Sequence, residues 1–259
     1  MPKPVHPDRR PAVITGASSG IGAATALALS AAGHPVALGA RRVDKLEELA
    51  HQIREAGGEV SAHALDLTSD ESVQTFAAKV GADLGEIEVV VSNAAQLGPG
   101  AIHEVDSDRF ARELDVNLVG AHRLVRAFVP AMAERRRGDL VFVSSDVAVR
   151  ARPFMSSYAA GKWGLEGMVN ALQMELEGTG IRASIVRPGP TQSEAGSDWD
   201  EELAAFVITQ WVRFGLARHP RVLRASAIAD AITTIVTAPR GVHLNLIEVT
   251  PEASVEDPS

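Results

Sequence analysis

The sequence of 259 residues contains no cysteine. This absence excludes disulfide bonds, thiolate metal sites and a cysteine nucleophile. Aromatic residues make up only 4% of the chain, and tyrosine occurs once, as Tyr158. The residues around this single phenol are therefore the first place to look for acid–base chemistry.

The chain also lacks a net positive charge and a long apolar segment. Its formal net charge of −8 at pH 7 argues against a nucleic-acid partner. The basic run at 135–137 fits a helix end before Gly138. The sequence has no run of about eighteen apolar residues, so no membrane span is predicted. The first residues, MPKPVHPDRRP, lack the apolar core of a signal peptide, so a cytoplasmic protein with no membrane partner is expected.

Strand-like and helix-like segments alternate along the chain, which predicts a parallel sheet covered by helices on both faces. Strands are predicted near residues 12–15, 36–40, 59–64, 88–92, 139–144, 182–187 and 243–249, and helices near 20–32, 43–56, 70–83, 107–136, 157–178 and 226–238. We expect one α/β domain over residues 1–259, with flexible tails at 1–10 and 251–259 and irregular segments at 95–104 and 191–220.

Tyr158 and Lys162 are four residues apart in SSYAAGKWGLEGM. A helix would place them on the same face, one turn apart. A free phenol has a pKa of about 10, and a positive charge nearby favours the phenolate and lowers that value. The spacing predicts an acid–base pair, although it is also typical of a solvated lysine beside a packed ring.

Two further segments carry residues suited to ligand binding. DLVFVSS reads as a buried strand ending at Ser145, and open α/β sheets bind ligands at the carboxyl ends of their strands. Near the start of the chain, Gly16, Gly20 and Gly22 form G-x-x-x-G-x-G between a strand and a helix. This is a respaced relative of the dinucleotide-binding fingerprint, in which a helix N-terminus meets the pyrophosphate.

The segment GASSG also satisfies G-x-S-x-G, the pattern around the serine nucleophile of α/β-hydrolases, with Ser18 at its centre. That arrangement needs earlier strands to supply an oxyanion hole, and only fifteen residues precede Gly16. The sequence therefore disfavours a hydrolase.

In this order, the glycine trio, the strand-end serine and Tyr-x-x-x-Lys resemble the short-chain dehydrogenase/reductase family, over residues from about 11 to about 250. The resemblance implies a single-domain α/β fold, a Rossmann-type doubly wound parallel seven-stranded sheet with helices on both faces. It also implies a homodimer or homotetramer built on the helices near 107–136 and 157–178.

The resemblance further implies a set of site residues. TGASSGIG at 15–22 resembles the cofactor loop, ALDLT contains the aspartate that meets adenine, and RPGPT at 187–191 resembles the turn along the nicotinamide. SNAA at 92–95 departs from the family's Asn-Asn-Ala-Gly at its first and last positions. The cofactor-binding residues implied are Gly16, Ser18, Ser19, Gly20, Ile21, Gly22, Arg41, Arg42, Asp66, Leu67, Asn93, Ala94, Tyr158, Lys162, Pro188, Gly189 and Thr191. The catalytic residues implied are Asn117, Ser145, Tyr158 and Lys162.

The end of the second strand indicates which coenzyme is used. An acidic residue there would bind the ribose 2′-hydroxyl of NAD, but Ala40 stands in its place and is followed by Arg41 and Arg42. Guanidinium groups bind a 2′-phosphate through charge-assisted hydrogen bonds, and Ser18 could also reach it. We therefore expect NADP(H), with NAD(H) as the alternative; both arginines could instead be solvated residues before a helix capped by Asp44.

Together these residues imply hydride transfer between the nicotinamide and a small-molecule carbonyl or secondary alcohol. Tyr158 would protonate the carbonyl oxygen, and Ser145 would stabilise the charge that develops there. Lys162 and the oxidised nicotinamide would lower the phenol pKa, Lys162 would also hold the ribose, and Asn117 would connect Lys162 to water at a helix distortion. No metal is needed. A non-catalytic NADP(H)-binding sensor on the same fold is the alternative.

The sequence leaves the substrate open between a small hydroxy acid and a larger apolar ketone or alcohol. The run APRGVHLNLIEVTPEA resembles a subgroup that includes dehydrogenases of small 3-hydroxy acids, and lacks the ending of 3-oxoacyl-carrier-protein reductases. Aromatic residues at 191–220 either cover the substrate as a lid or pack a helix onto its own core; they are Trp199, Phe206, Trp211 and Phe214. Asp146, Arg150 and Arg152 receive no role from the sequence.

Overall fold

The computed structural model describes residues 8–192, 199–217 and 219–254. Its centre is a seven-stranded sheet in the order β3-β2-β1-β4-β5-β6-β7. Each neighbouring pair of strands is parallel. The predicted fold, a doubly wound parallel sheet with helices, is confirmed.

The strands are β1 (Ala12–Thr15), β2 (Val36–Ala40), β3 (Val60–Ala64), β4 (Val89–Ser92), β5 (Gly138–Val143), β6 (Ile181–Pro188) and β7 (Leu246–Val249). The α-helices are α1 (Gly20–Ala31), α2 (Val43–Glu55), α3 (Asp70–Leu84), α4 (Ser107–Leu114), α5 (Gly120–Arg135), α6 (Ser156–Glu175), α7 (Glu201–Arg213) and α8 (Ala225–Val236). No helix in these described ranges is both long enough and apolar enough to cross a membrane.

The central strands β1, β4 and β5 are buried along their whole length because both faces of the sheet are covered. Neighbouring residues of one strand point to opposite faces. Val13 and Val90 belong to the apolar cluster that also contains Phe76 on α3. Ile14 and Val91 belong to the other cluster, on the opposite face. Two buried layers therefore hold the sheet, which explains strands without polar alternation.

Two helical segments differ from the sequence prediction. The single helix predicted at 107–136 consists of α4, a π-helix at Asp115–Val119, and α5. The segment 191–220, predicted as irregular, contains α7. The acidic residues there form the helix start, because the Asp200 carboxylate accepts from Glu202 N at 3.0 Å and Leu203 N at 3.1 Å. An N-cap of this kind stabilises a helix start, so Asp200 and the two glutamates after it begin a helix.

The predicted tails lie partly outside the described residues, at 1–7 and 255–259. Arg10 does not behave as part of a flexible tail. Its side chain pairs with Asp139, donates to Glu88 at 3.0 Å, and donates to the carbonyl oxygen of Val236 at 2.7 Å. Only 4% of Arg10 is exposed. The ordered domain therefore includes Arg10, since a buried guanidinium needs these partners.

The strand order indicates at which edge of the sheet a ligand would bind. The chain crosses from β1 to β2 and β3 on one side, and then returns to β4 on the other side of β1. In open α/β sheets, ligands bind at such a switch point, outside the carboxyl ends of the strands. β1 ends at the glycine turn and β5 ends just before Ser145, so both segments reach this edge.

Candidate active site

A cleft of about 760 Å³ opens at the carboxyl ends of the strands. It brings together most of the residues predicted from the sequence. Those that line it are Gly16, Ser18, Ser19, Gly20, Ile21, Arg41, Arg42, Asp66, Leu67, Asn93, Ala94, Ser145, Tyr158, Lys162, Pro188, Gly189 and Thr191. Gly22 and Asn117 do not line the cleft; they lie behind its wall.

The glycine turn depends on two close approaches of main chain. Gly16 has a φ of +65°, and a Cβ there would lie 2.8 Å from the Cα of Ala94. A Cβ on Gly22 would lie 2.3 Å from the carbonyl oxygen of Gly16. Gly22 therefore acts by letting α1 pack against the turn, and it needs no contact with a ligand.

Thr15, which the sequence did not single out, joins the ends of β1 and β4. Its hydroxyl oxygen accepts from Asn93 N at 3.0 Å and Ala94 N at 3.1 Å. The side-chain amide of Asn93 in turn donates to the carbonyl oxygen of Thr15 at 2.9 Å. Thr15 is completely buried. These bonds fix Asn93 and Ala94 beside the glycine turn.

The start of α1 is arranged to receive an anion. Ser19 is the N-cap, and no side chain in the described part of the chain caps the helix there; its first turn carries no acidic residue. Uncapped N–H groups at a helix N-terminus attract negative charge. Arg42 lies beside this turn, donating from Nη2 to Ser18 Oγ at 3.0 Å and Ser19 Oγ at 3.1 Å.

Asp66 carries a full negative charge at neutral pH. Its Oδ1 accepts from the main-chain N of Thr68 at 2.9 Å and from the Thr68 hydroxyl at 2.8 Å. These hydrogen bonds, and to a smaller extent the charge of Arg41, lower its pKa below the usual value. The bonds orient the carboxylate at the wall of the cleft.

Ser145, Tyr158 and Lys162 converge where β5 meets α6. Ser145 Oγ lies 3.3 Å from Asp146 Oδ1, to which it donates. Lys162 is 2% exposed, and its ammonium donates to the carbonyl oxygen of Val143 at 2.7 Å. The same ammonium lies 5.7 Å from the centre of the Tyr158 ring. Helix α6 thus presents the phenol and the ammonium to the strand end that carries Ser145.

Burial disfavours the charged forms of the Tyr158 phenol and the Lys162 amine, and it shifts both pKa values accordingly. It raises the pKa of Tyr158 to about 12, opposed by a hydrogen bond with Ser145. It lowers the pKa of Lys162 to about 8, opposed by the charge of Glu166. The groups of this chain alone do not lower the phenol pKa as expected, because desolvation outweighs the opposing effects of the Ser145 hydrogen bond and the Arg152 charge.

Asn117 lies in the π-helix, so the helix distortion implied by the resemblance is present. Its side chain, however, is bonded to the main chain of Gln96: Oδ1 accepts from Gln96 N at 2.8 Å, and Nδ2 donates to Gln96 O at 2.7 Å. On its other side Asn117 packs against α6, where a Cβ on Gly161 would lie 3.1 Å from its Cβ. The amide therefore holds the loop at Gln96 beside α6.

Glu166 was not found from the sequence, although it follows Lys162 by one helical turn. Its Oε1 accepts from Ser144 Oγ at 2.6 Å, and Arg187 donates to both of its oxygens at 3.0 and 2.6 Å. The i+4 spacing on α6 was the available signal. This pair holds α6 against β6 and places a negative charge behind Lys162.

The predicted aromatic cover divides into two pairs. Trp199 and Trp211 line the cleft, with ring centres 6.5 Å apart. Phe206 instead packs edge-on against Phe154, with centres 5.1 Å apart, and Phe214 is 61% exposed. Neither phenylalanine lines the cleft. Residues 193–198 of the predicted lid lie outside the described residues.

Comparisons with known proteins agree with this geometry. A family model described as short chain dehydrogenase matches residues 10–204. Glycine betaine reductase ATRR of Emericella nidulans is 32% identical over 93% of this chain, which spans 18% of that protein's length. A short chain dehydrogenase of Pseudocercospora fijiensis is 33% identical over 90% of this chain and 77% of its own.

Among solved structures, an alcohol dehydrogenase from Thermococcus sibiricus complexed with 5-hydroxy-NADP has a TM-score of 0.81. It is 31% identical, and the match covers 97% of this chain and 100% of that one. The chain therefore belongs to the short-chain dehydrogenase family, oxidoreductases that act on CH–OH and C=O groups with NAD(P)(H).

Proposed function

We propose that this protein is an NADP(H)-dependent oxidoreductase that interconverts a carbonyl compound and its secondary alcohol, with Tyr158 as the general acid and base. The observation that carries the proposal is the meeting of Ser145, Tyr158 and Lys162 in the cleft that begins at the glycine turn. A proton donor, a hydrogen-bond donor and a buried cation then line the same cleft, as protonation of a carbonyl oxygen requires.

The residues of the cleft fit a dinucleotide. The uncapped start of α1 suits a pyrophosphate, and Gly16 permits the tight turn that leads to it, where a Cβ would lie 2.8 Å from the Cα of Ala94. Ser18 and Arg42, already joined at 3.0 Å, would hold a 2′-phosphate together with Arg41. The similar Thermococcus sibiricus enzyme, solved with an NADP derivative, supports this choice over NAD(H).

The bound coenzyme supplies or accepts the hydride. Tyr158 gives its proton to the carbonyl oxygen in reduction and takes one from the alcohol in oxidation. When substrate binds, Ser145 redirects its hydroxyl hydrogen from Asp146 to the same oxygen and stabilises the developing negative charge there. Lys162, fixed by Val143 O, places a positive charge beside the phenol, and the charge of Glu166 opposes the lowering of the ammonium pKa by burial. Asn117 positions the Gln96 loop against α6.

Replacement of Tyr158 by Phe tests the proposal, because it keeps the ring and removes the only phenol. A positioned acid contributes about 10²- to 10⁴-fold in rate, so carbonyl reduction should fall by at least that factor while NADPH still binds. The assay uses a panel of ketones, aldehydes and hydroxy acids with both coenzymes. Turnover close to wild type would contradict the role of Tyr158. Tight NADPH binding by the wild type with no turnover on any compound would favour the non-catalytic sensor.

A further inference from the structure

Asp146 and Arg152 form an ion pair at the substrate end of the cleft. Arg152 donates from Nη1 to Oδ1 at 3.0 Å and from Nη2 to Oδ2 at 2.5 Å. Their side chains are 16% and 10% exposed, respectively. This two-point contact occupies the edge of the guanidinium that would otherwise bind a substrate carboxylate.

Arg152 is held in place from a second direction. Its Cζ lies 5.1 Å from the ring centre of Trp211, within the range of a cation–π contact. Trp211 is itself fixed, because its Nε1 donates to the carbonyl oxygen of Pro153 at 3.1 Å. An arginine held by a carboxylate and an aromatic face would have to break both contacts to reach a ligand.

Much of the remaining lining of the cleft is apolar. It includes Leu97, Val147, Met155, Trp199, Ile208 and Val222, with Gln96 as a polar member. The other cations that line the described cleft have other partners. Arg42 donates a hydrogen bond to Ser18 at the glycine turn, and the charge of Arg41 lowers the pKa of Asp66. Lys162 donates to the carbonyl oxygen of Val143. Among the residues described, the substrate end therefore offers no cation free to bind an acid.

We infer that the pocket selects uncharged ketones or secondary alcohols with an apolar body, and that Asp146 excludes carboxylate-bearing substrates by occupying Arg152. The inference rests on the proposed function and chooses between the two substrate classes that the sequence left open. An entering carboxylate would meet the negative charge of Asp146 or have to displace it. Specificity of this kind comes from a repulsive group as much as from attractive contacts.

A matched pair of ketones tests the inference. Methyl benzoylformate and benzoylformate share the phenyl ring and the ketone, and differ in the charge of the neighbouring group. We expect the wild type to prefer the ester by at least about 100-fold in kcat/KM, because binding of the acid would break the ion pair between Asp146 and Arg152. Asp146→Asn frees Arg152, so the acid should gain about 10- to 150-fold relative to the ester, the range for a charged hydrogen bond. The different reactivities of the two ketones cancel in this comparison between variants.

The double variant Asp146→Asn, Arg152→Gln is the control. It lacks the guanidinium, so the gain for the acid should disappear. Calorimetric titration of both compounds into the protein with NADP⁺ gives a readout that does not need turnover. The wild type should bind the ester more tightly than the acid. In Asp146→Asn the difference between the two affinities should be smaller.

Each result separates the inference from the proposed function. Use of the acid as efficiently as the ester by the wild type would overturn the inference and leave the oxidoreductase activity standing. An unchanged acid-to-ester ratio in Asp146→Asn, or binding of neither compound, would also overturn it. Selective binding of the ester with no turnover of any carbonyl would support the inference and contradict the proposed function.

Discussion

Ser157 donates a hydrogen bond of 2.6 Å to Glu113, and each residue is 1% exposed. The bond joins α6 to α4 one residue before Tyr158. The other oxygen of Glu113 accepts from Arg109 Nε at 3.3 Å, and Arg109 Nη2 donates to the carbonyl oxygen of Pro99 at 2.9 Å. The position of the phenol is thus linked through a buried carboxylate to the loop at 95–104.

Ser157→Ala should lower the free energy of unfolding by about 1.5–3 kcal/mol, because it leaves a buried carboxylate oxygen without its donor. Ser156→Ala is the matched control. The Ser156 hydroxyl is buried and has no hydrogen-bond partner among the described residues, so its removal should not lower the free energy of unfolding. Urea unfolding of both variants measures the difference. Equal losses would show that the bond to Glu113 is not what stabilises the start of α6.

Arg41 and Arg42 should determine coenzyme preference. Removal of one charge-assisted contact to the 2′-phosphate costs about 1.5–3 kcal/mol, so Arg41→Ala and Arg42→Ala should each weaken NADPH binding about 10- to 150-fold and leave NADH almost unchanged. Lys45→Ala is the control, since Lys45 is a nearby cation whose ammonium bonds to Glu48 at 2.9 Å and does not line the cleft. Fluorescence titration with both coenzymes measures the affinities. An equal loss for both coenzymes would contradict the assignment.

The buried ammonium of Lys162 should make stability depend on pH. Its folded pKa of about 8 lies below the ordinary value of 10.5. Between these values the unfolded chain binds more protons than the folded one, so raising the pH stabilises the wild type. In Lys162→Met the residue binds no proton. The Tm of the variant minus that of the wild type should therefore fall as the pH rises from about 7 to about 10.

Lys79→Met provides the reference for that measurement, because Lys79 is an exposed lysine on α3. Its Tm difference from the wild type should stay constant over the same pH range. Scanning calorimetry at three pH values is sufficient. A constant difference for Lys162→Met as well would show that burial does not shift this lysine.

Helix α7 is the part of the predicted lid that the structure describes, and it carries Ile208 and Trp211 to the cleft. Closing such a cover would exclude water from the reaction. We expect amides of α7 to exchange hydrogen quickly in the protein alone and slowly with coenzyme and substrate bound. The strands β4 and β5 serve as internal references. If the amides of α7 exchange as slowly as those of β4 and β5 without ligand, α7 is part of the stable core and not a lid.

Assembly into a homodimer or homotetramer remains a prediction. On α6, Trp163 is 55% exposed and Met174 is 72% exposed, and a second subunit packed on this helix would cover them. Light scattering at micromolar concentration should give at least twice the chain mass of 27.3 kDa. A value equal to one chain would contradict this prediction.

Much of the fold could be predicted because its signals are local. Runs such as Ala12–Thr15 and Val89–Ser92 are apolar except for their last residue, and a segment of helical periodicity follows each of them along the chain. Only a parallel sheet covered on both faces buries such strands completely. Helix α7 was missed because Asp200, its N-cap, lies within an acidic run that reads equally well as a solvated surface.

Only part of the candidate site could be predicted from the sequence. Residues with a fixed spacing or a fixed place at a strand end, such as Gly16 and Tyr158, line the cleft as expected. Asn117 does not, because its amide is bonded to Gln96, a partner 21 residues away that no local pattern indicates. Phe206 and Phe214 share the helical spacing of Trp211 and still face away, because the spacing gives a helix face and leaves its direction open.

The sequence by itself determined the order of strands and helices, the glycine turn, and the spacing of Tyr158 and Lys162, since each depends on neighbours along the chain. Tertiary structure alone decided the pairing of Asp146 with Arg152, the raised pKa of Tyr158, and the contact of Arg42 with Ser18. Hydrogen bonds and desolvation depend on distances that no local spacing fixes, even for Asp146 and Arg152, which are six residues apart. Those distances exist only once the sheet has brought the strand ends together.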